Sequence, residues 1–343
     1  MFASIKTLHT MGTVRKYAVF GGGSWGTALV KMLSENLDTI TWYMRNSDAI
    51  AYIEKERHNP NYLTSVELHL DRLELTDDLN KAVADNDILI FAIPSAFLST
   101  ELGKLKTDFK GKIIFSAIKG IVPETGLIIG EHFHKEYDVP YEEIGVITGP
   151  CHAEEVALER LSYLTIACFD TLKAEEVASK LQSSYIKTKI SDDIIGTEYA
   201  AMLKNIYALA AGIAHGLGYG DNFQAVLMSN AIREMKRYIR QVHKMKRNIN
   251  NSAYLGDLLV TGYSTFSRNR MFGNMIGKGY TVKSAMMEMN MVAEGYYATK
   301  TAFELKSTFE KRVQSPIIDA VYGILYEGKN ARKIFKALTD RLD

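Results

Sequence analysis

An α/β protein is expected, with a doubly wound, mostly parallel sheet in its first half and an all-helical second half. Three observations predict it. Short β-branched runs alternate with helical stretches up to about residue 195, strand-like runs then vanish, and a glycine loop joins the first run to the first helix. A chain of 343 residues is long enough for two domains, each with its own core.

The strands are predicted at residues 17–20, 39–43, 88–93, 112–117, 145–148 and 164–168. Several are apolar without strict alternation, as strands covered on both faces should be. Helices such as 25–33 and 174–181 fall between them. Beyond about Ile195, Ala-, Met- and Leu-rich patterns predict helices at 197–214, 225–246, 281–288, 294–309 and 317–326. The boundary falls near 194–196, giving a sheet domain over 13–195 and a helical domain over 196–343. No Pro- or Ser-rich linker marks the junction, so it should be packed, with a ligand cleft between the two parts.

Composition limits the functions open to the chain. Apolar residues make up 47% and charged residues 24%, while 41 basic residues nearly cancel 40 acidic ones. A formal net charge of +1 creates no global field towards nucleic acid or membrane, so any anion must be held locally. Arg233, Lys236, Arg237, Arg240, Lys244 and Arg247 are spaced for one helix face, opposite Ala231, Met235, Tyr238, Val242, Met245 and Ile249. They are expected to be the solvated side of an amphipathic helix rather than a nucleic-acid or lipid surface. No run approaches the roughly 20 apolar residues that span a bilayer. The first sixteen residues carry Lys6, Arg15 and Lys16 and no acid, without the apolar stretch of an export signal. Residues 1–12 are expected to be a loose extension, with Met11 a candidate start, and the location is expected to be cytoplasmic. The two cysteines, Cys151 and Cys168, make a poor metal set, and no metal is expected.

The strand at 17–20 runs straight into Gly21-Gly22-Gly23-Ser24-Trp25-Gly26 and then a helix. Gly21 permits the tight turn, Gly23 lets the backbone approach a pyrophosphate, and Gly26 lets helix and strand pack closely. A Rossmann-like dinucleotide site is therefore expected. An NAD-selective site usually ends its second strand in Asp or Glu; here Arg45 follows Tyr43 and Met44 and could accept a 2′-phosphate. NADP(H) is favoured over NAD(H), with Asp48 close by keeping NAD(H) open.

Other candidates sit at strand ends, where ligands collect in this fold. Lys119, in Ile118-Lys119-Gly120, is placed either to meet an anion or carbonyl, or as an exposed loop lysine. Gly149-Pro150-Cys151-His152-Ala153-Glu154 makes a sharp strand-to-helix turn, and only His152 is beside Cys151 as a base. In the helical half, Lys204 shares its face with Ala200, Ala201, Tyr207, Ala208, Thr197 and Ala211. That small, uncharged face either desolvates the amine for proton transfer or lets it snorkel outwards. Asp257, in an otherwise apolar segment, needs a partner that a lysine would supply. Arg268 carries a fork suited to phosphate and Asn269 adds a donor, unless both lie in an exposed turn.

Taken in order, Gly21-x-Gly23-Ser24-Trp25-Gly26-Thr27-Ala28, Ile118-Lys119-Gly120, Gly149-Pro150-x-x-Ala153-x-Glu155, Leu203-Lys204-Asn205-Ile206, Gly256-Asp257-Leu258, Ser267-Arg268-Asn269-Arg270 and Ala293-Glu294-Gly295 form a specific set. The chain closely resembles the bacterial-type NAD(P)-dependent glycerol-3-phosphate dehydrogenases from about residue 14 to 332. The resemblance implies that Ser24 and Trp25 contact the cofactor, with Ala153, Val292 and Glu294 as further cofactor contacts and Arg268 shared between cofactor and substrate. It implies that Lys119 meets both ligands, Lys204 is the catalytic acid/base, and Gly149, Cys151, Asp257, Ser267 and Asn269 face the substrate. Asn205 and Thr261 are plausible additions. Cys151 stands where the family usually has Ser or Thr, and Arg45 sits one place beyond the usual 2′-phosphate residue.

The implied reaction is NAD(P)H-dependent reduction of dihydroxyacetone phosphate to sn-glycerol 3-phosphate, for glycerophospholipid synthesis. Lys204 would give the proton, Lys119 would stabilise charge, and Asp257 would complete the catalytic group. Arg268 and Asn269 would hold the phosphate. The expected partners are these small molecules and a possible second copy of the chain, with no nucleic acid and no membrane insertion. A β-hydroxyacid dehydrogenase, which pairs the same kind of domains and acts on carboxylates, is the alternative enzyme. A non-catalytic NAD(P)-binding module is the alternative of another class, though a sensor needs no proton donor.

Overall fold

The computed structural model describes residues 15–289 and 293–343. The expected extension at 1–12 and the cofactor contact Val292 lie outside these residues. Among the described residues the strands come in the order β1 (Tyr17–Phe20), β2 (Ile40–Tyr43), β3 (Leu73–Thr76), β4 (Ile88–Phe91), β5 (Ile113–Ser116), β6 (Ile121–Val122), β7 (Leu127–Ile128), β8 (Ile144–Thr148), β9 (Ser162–Cys168) and β10 (Ile186–Ser191). The helices of this half are α1 (Ser24–Leu33), α2 (Ser47–Glu56), α3 (Leu79–Ala84), α4 (Ser95–Leu102), α5 (Ile129–Tyr137), α6 (Ala153–Ala157) and α7 (Thr171–Leu181). Then follow α8 (Ile194–Gly216), α9 (Asp221–Val242), α10 (Asp257–Tyr263), α11 (Arg268–Gly277), α12 (Val282–Glu288), α13 (Glu294–Leu305), α14 (Pro316–Leu325) and α15 (Ala331–Thr339).

Eight strands form one sheet, ordered β3-β2-β1-β4-β5-β8-β9-β10, while β6 and β7 pair separately. Every pairing in the large sheet is parallel except β8 with β9. Strands β1, β2, β4, β5 and β8 are buried along their whole length, which explains why they are mostly apolar without strict alternation. The two edges, β3 and β10, are the strands of the large sheet that hydrophobic pattern failed to predict, and the short β6–β7 pair was not predicted either. Leu73-Glu74-Leu75-Thr76 is too short and polar, and β10 carries Lys187 and Lys189 on exposed positions, a usual way of blunting an edge. The chain order reverses on either side of β1, so the crevice beside the carboxyl ends of β1 and β4 is the place where this topology binds ligands.

The second half is built around α8. Its 23 residues are apolar nearly all round and almost wholly buried, as a helix at the centre of a core must be. Against it packs α11 at unusually close range. A Cβ on Gly212, Gly216, Gly273 or Gly277 would land on the opposing backbone: Arg270 and Asn274 carbonyl oxygens on one side, Leu209 and Ile213 carbonyl oxygens on the other. Four small residues thus set how far the start of α11 stands from the middle of α8.

The structure corrects three expectations. Helix α9 stops at Val242, four residues earlier than predicted, so Lys244 and Arg247 leave the helix. The basic stripe is consequently not one solvated face. Arg233 pairs with the terminal Asp343, and the buried Arg247 fork grips Asp193 through Nε at 2.5 Å and Nη2 at 2.9 Å. Arg247 is drawn inwards because Asp193, which caps α8 at the Gly196 N–H, would otherwise be a buried uncompensated charge. Helix α13 ends at Leu305 and tightens into a 3₁₀ turn over Lys306–Thr308 rather than running to 309. Finally, the alternative of an exposed turn at Arg268 and Asn269 gives way to helix: residues 257–263 and 268–277 form α10 and α11.

Candidate functional site

The glycine loop has the shape its sequence requires. Gly21 takes φ +123°, which side chains rarely allow, and a Cβ there would meet the Ala92 carbonyl oxygen at 2.8 Å. A Cβ on Gly26 would fall on the Gly21 carbonyl oxygen, the same atom that accepts from Trp42 Nε1 at 2.9 Å. Asn59, which the sequence reading missed, steadies the loop by donating to the Gly22 carbonyl (3.0 Å) and Thr27 Oγ1 (2.9 Å). Among the described residues nothing lies within 4 Å of the Cβ position of Gly23, and no side chain caps the start of α1 there. The start of α1 is therefore left uncapped beside open space, the arrangement that binds a pyrophosphate. Trp25 Nε1 is buried with no partner among the described residues, and the Lys119 ammonium lies 4.9 Å from the Trp25 ring.

Two adjoining cavities extend from this loop, of about 280 and 350 Å³, sharing Gly23, Tyr62, Ala92, Ile93, Pro94 and Phe97. An elongated dinucleotide fits such a paired space. The smaller is walled by the end of β2: Arg45 lines it with its guanidinium 5.5 Å over the Phe97 ring, and Tyr43 donates to the buried Glu101 carboxylate. Asp48, the acid that kept NAD(H) open, lies in the exposed first turn of α2, capped by Asn46.

The larger cavity gathers the sequence-predicted residues from both halves: Ser24, Trp25, Lys119, Cys151 and Ala153 on one side, Lys204, Asn205, Thr261, Ser267, Arg268, Asn269 and Glu294 on the other. Lys204 does not snorkel. It is 2% exposed in the middle of α8, among the buried Thr197, Ala200, Ala201, Tyr207, Ala208 and Ala211, and its Nζ pairs with Asp257, itself 1% exposed. A π turn at Ser252–Gly256 delivers Asp257 to the start of α10. Burial lowers the Lys204 ammonium to about 8, with Lys119 adding repulsion and Asp257 opposing the fall. Burial would raise the Asp257 carboxyl, but Lys204 and Lys119 outweigh it and hold it below the usual range. Thr148 Oγ1 donates to Asp257 at 3.4 Å, and Thr261 Oγ1 to the Asp257 carbonyl at 2.7 Å. Gly149 lies against the same carboxylate, with room for no side chain: a Cβ would stand 2.7 Å from Oδ1.

Neighbouring groups are tied to this pair. Asn205, next on α8, donates to the Lys119 carbonyl at 3.0 Å, and Lys119 Nζ reaches the Cys151 carbonyl at 3.4 Å. The Cys151 thiol is pushed up to about 11 by burial despite Lys119, so it remains a neutral lining group. At α11, Ser267 caps the helix by accepting from the Arg270 N–H (3.3 Å), and the buried Asn269 accepts from the Gly295 N–H (2.8 Å). Arg268, between them, is exposed at the cavity wall. Neither Ser267 nor Asn269 is in a plain exposed turn; the α8–α11 glycine contact presents all three. The half-buried Glu294 opens α13 and accepts from the Ser95 N–H. Burial raises its carboxyl, opposed by Arg268 and Lys119. Among the described residues no three His, Cys, Asp or Glu side chains converge as metal ligands.

Sequence reasoning missed Phe97 and Phe266, which line the cavity, and Thr148, which donates to Asp257; none of them carries a distinctive local pattern. It weighed His152 only as a base for Cys151, whereas the ring lines the cavity with Lys119 and Lys204.

What such a site can do is proton transfer at a carbonyl beside a bound dinucleotide. Residues 16–174 match the family model for the NAD-dependent glycerol-3-phosphate dehydrogenase N-terminus and residues 193–336 that for its C-terminus. A protein of Limosilactobacillus reuteri named glycerol-3-phosphate dehydrogenase (NAD(P)+) is 34% identical over 331 residues, 95% of this chain and 97% of that one. One of the same name from Exiguobacterium is 37% identical over 328 residues, 94% and 95% of the two chains. Among solved structures, the glycerol-3-phosphate dehydrogenase of Coxiella burnetii superposes with a TM-score of 0.85 at 26% identity, covering 95% of this chain and 98% of that one.

Proposed function

The chain belongs to the NAD-dependent glycerol-3-phosphate dehydrogenase family, and we propose from this how its own residues run the reaction. It is an NAD(P)-dependent oxidoreductase that reduces dihydroxyacetone phosphate to sn-glycerol 3-phosphate, a precursor of glycerophospholipids. When bound, the reduced nicotinamide supplies hydride to C2 of the ketone.

Lys204 gives its proton to the ketone oxygen as charge develops there, and Asp257 holds the amine in place. Lys119 stabilises the developing negative charge from the opposite half. Arg268 and Asn269 grip the phosphate, so binding energy far from C2 fixes the carbonyl in the cleft. Cys151, Gly149, Asn205, Thr261 and Ser267 complete the substrate side. Gly21, Gly23, Ser24, Trp25, Gly26, Ala153 and Glu294 form the cofactor side, which Arg268 borders. The observation that carries this reading is the buried Lys204–Asp257 pair, set in the same cavity as the glycine loop and Arg268.

We further propose a preference for NADPH, because Arg45 lines the adenosine-side cavity where the usual ribose-binding acid is missing. A cytoplasmic homodimer, independent of nucleic acid, completes the proposal. No helix among the described residues is long and apolar enough to cross a membrane, and the chain's charge is balanced. The deciding assay follows NADPH and NADH oxidation with dihydroxyacetone phosphate and with carboxylate ketones. Turnover of the phosphorylated ketone, fastest with NADPH, is expected. Turnover of carboxylate ketones alone would point to a β-hydroxyacid dehydrogenase, and binding without oxidation to a non-catalytic module.

A further inference from the structure

Once these roles are assigned, a polar atom on the substrate side of the cavity still has no task. His152 sits between Cys151 and Ala153, half-buried, and its Nε2 is closed to solvent with no hydrogen-bond partner among the described residues. The ring does not hang loose. It meets Phe266 edge-on, with centroids 6.2 Å apart at 61°, and the Val260 carbonyl lies beside it. It lines the same cavity as Lys204, Asn205 and Arg268, within electrostatic reach of Lys119, Lys204 and Asp257. A polar nitrogen shut away without a partner is costly, and such atoms concentrate where function requires them.

We propose that His152 reads the free hydroxyl group of the ketose phosphate, its Nε2 hydrogen-bonding the hydroxymethyl oxygen while Arg268 and Asn269 hold the phosphate at the other end. The inference rests on the dehydrogenase reading above and assigns the one polar group of the substrate that reading leaves unmet. Dihydroxyacetone phosphate offers three polar groups. The phosphate matches Arg268, the carbonyl matches Lys204 and Lys119, and the hydroxyl remains. The imidazole suits it chemically: burial, reinforced by Lys119 and Lys204, brings its pKa down to about 4, so the ring is neutral at physiological pH. A neutral ring is a poor holder of a phosphate dianion but presents one donor and one acceptor nitrogen. Because a hydroxyl can both give and accept, either tautomer can bind it.

The test compares kcat/KM of the unsubstituted enzyme, His152→Ala and His152→Gln on two substrates: dihydroxyacetone phosphate, and acetonyl phosphate, in which a methyl replaces the hydroxymethyl. Removing the ring should cut kcat/KM for the hydroxylated substrate by roughly 10–100-fold and that for the methyl analogue by less than about threefold. His152→Gln, which keeps an amide near the position of Nε2, should recover part of the loss and serves if the alanine variant fails to fold. Equal losses on both substrates, or an undiminished rate on dihydroxyacetone phosphate, would overturn the proposal. Failure of the dehydrogenase reading itself would appear separately, as no NAD(P)H oxidation by the unsubstituted enzyme with dihydroxyacetone phosphate.

Discussion

Lys204 and Asp257 come from different helices, 53 residues apart in sequence, yet form an ion pair in which both side chains are almost completely buried. Neither charge could remain there alone. An isolated buried ammonium or carboxylate would neutralise or unfold its surroundings, so each is the condition for the other. The pair keeps an amine near its own neutral point beside a cavity that both halves of the chain enclose.

The first consequence concerns pH. Burial brings the Lys204 ammonium down to about 8, so it is charged below that value and neutral above it. Ketone reduction needs the protonated amine as donor; its kcat should fall as pH rises through about 8. The reverse reaction needs the neutral amine as base and should rise through the same region. In Asp257→Asn the attraction that opposes burial is gone, and the falling limb of the reduction profile should move to lower pH. An unchanged limb would detach Asp257 from Lys204.

Helix packing gives a second expectation. The Cβ of Gly273→Ala would land on the Leu209 carbonyl oxygen and push α11 away from α8. A stability loss of about 1–3 kcal/mol is expected in urea unfolding, as for overpacked cores. Because α11 carries Arg268 and Asn269 at its start, KM for dihydroxyacetone phosphate should rise more than the Kd for NADPH. The opposite order would remove α11 from phosphate binding.

Cofactor choice supplies a third. Replacing the exposed Arg45 by alanine removes the cation over Phe97 at the adenosine-side cavity. The ratio of kcat/KM for NADPH over NADH should fall roughly tenfold or more, the scale of a hydrogen bond to a charged group, with the NADH value little changed. An unaltered ratio would mean that the 2′-phosphate is read elsewhere.

Stability should also respond to a carboxyl far from the cavity. Glu234 is fully buried in α9 and accepts the Ile317 and Ile318 N–H groups at the start of α14, at 2.9 and 3.0 Å. Burial raises its carboxyl from 4.5 to about 7 against those two hydrogen bonds. The folded state therefore holds a proton that the unfolded state gives up earlier. Its contribution is complete below about pH 4.5 and is lost as pH rises through about 7, up to roughly 3 kcal/mol in all. Denaturation midpoints measured across that window should fall less in Glu234→Gln than in the unsubstituted chain. Equal slopes would show that Glu234 stays ionised.

The parts of this molecule that could be read from sequence are those whose constraint is local. The fully buried strands β1, β4 and β5 show as unbroken apolar runs, and the glycine loop shows because each of its glycines answers a nearby steric demand. Edge strands β3 and β10 escaped, since exposure on one side leaves polar residues in the pattern. Lys204 posed a different difficulty: spacing defined its face but could not say whether the amine was buried, because Asp257 is brought to it only by tertiary packing. The same holds for Arg247, which has the spacing of a solvated stripe and was claimed instead by Asp193. Phe97 and His152 reach the cavity, and Thr148 the Asp257 carboxylate, from separate elements, and no short-range pattern links them.

The central claim is that the buried amine of Lys204 delivers the proton. Lys204→Gln retains a neutral donor towards Asp257 but has no proton to give up, so NADPH oxidation with saturating dihydroxyacetone phosphate isolates that role. A fall in kcat of about 10²–10⁴-fold, with the Kd for NADPH unchanged, is the expected outcome. Turnover at the full rate of the unsubstituted enzyme would contradict it.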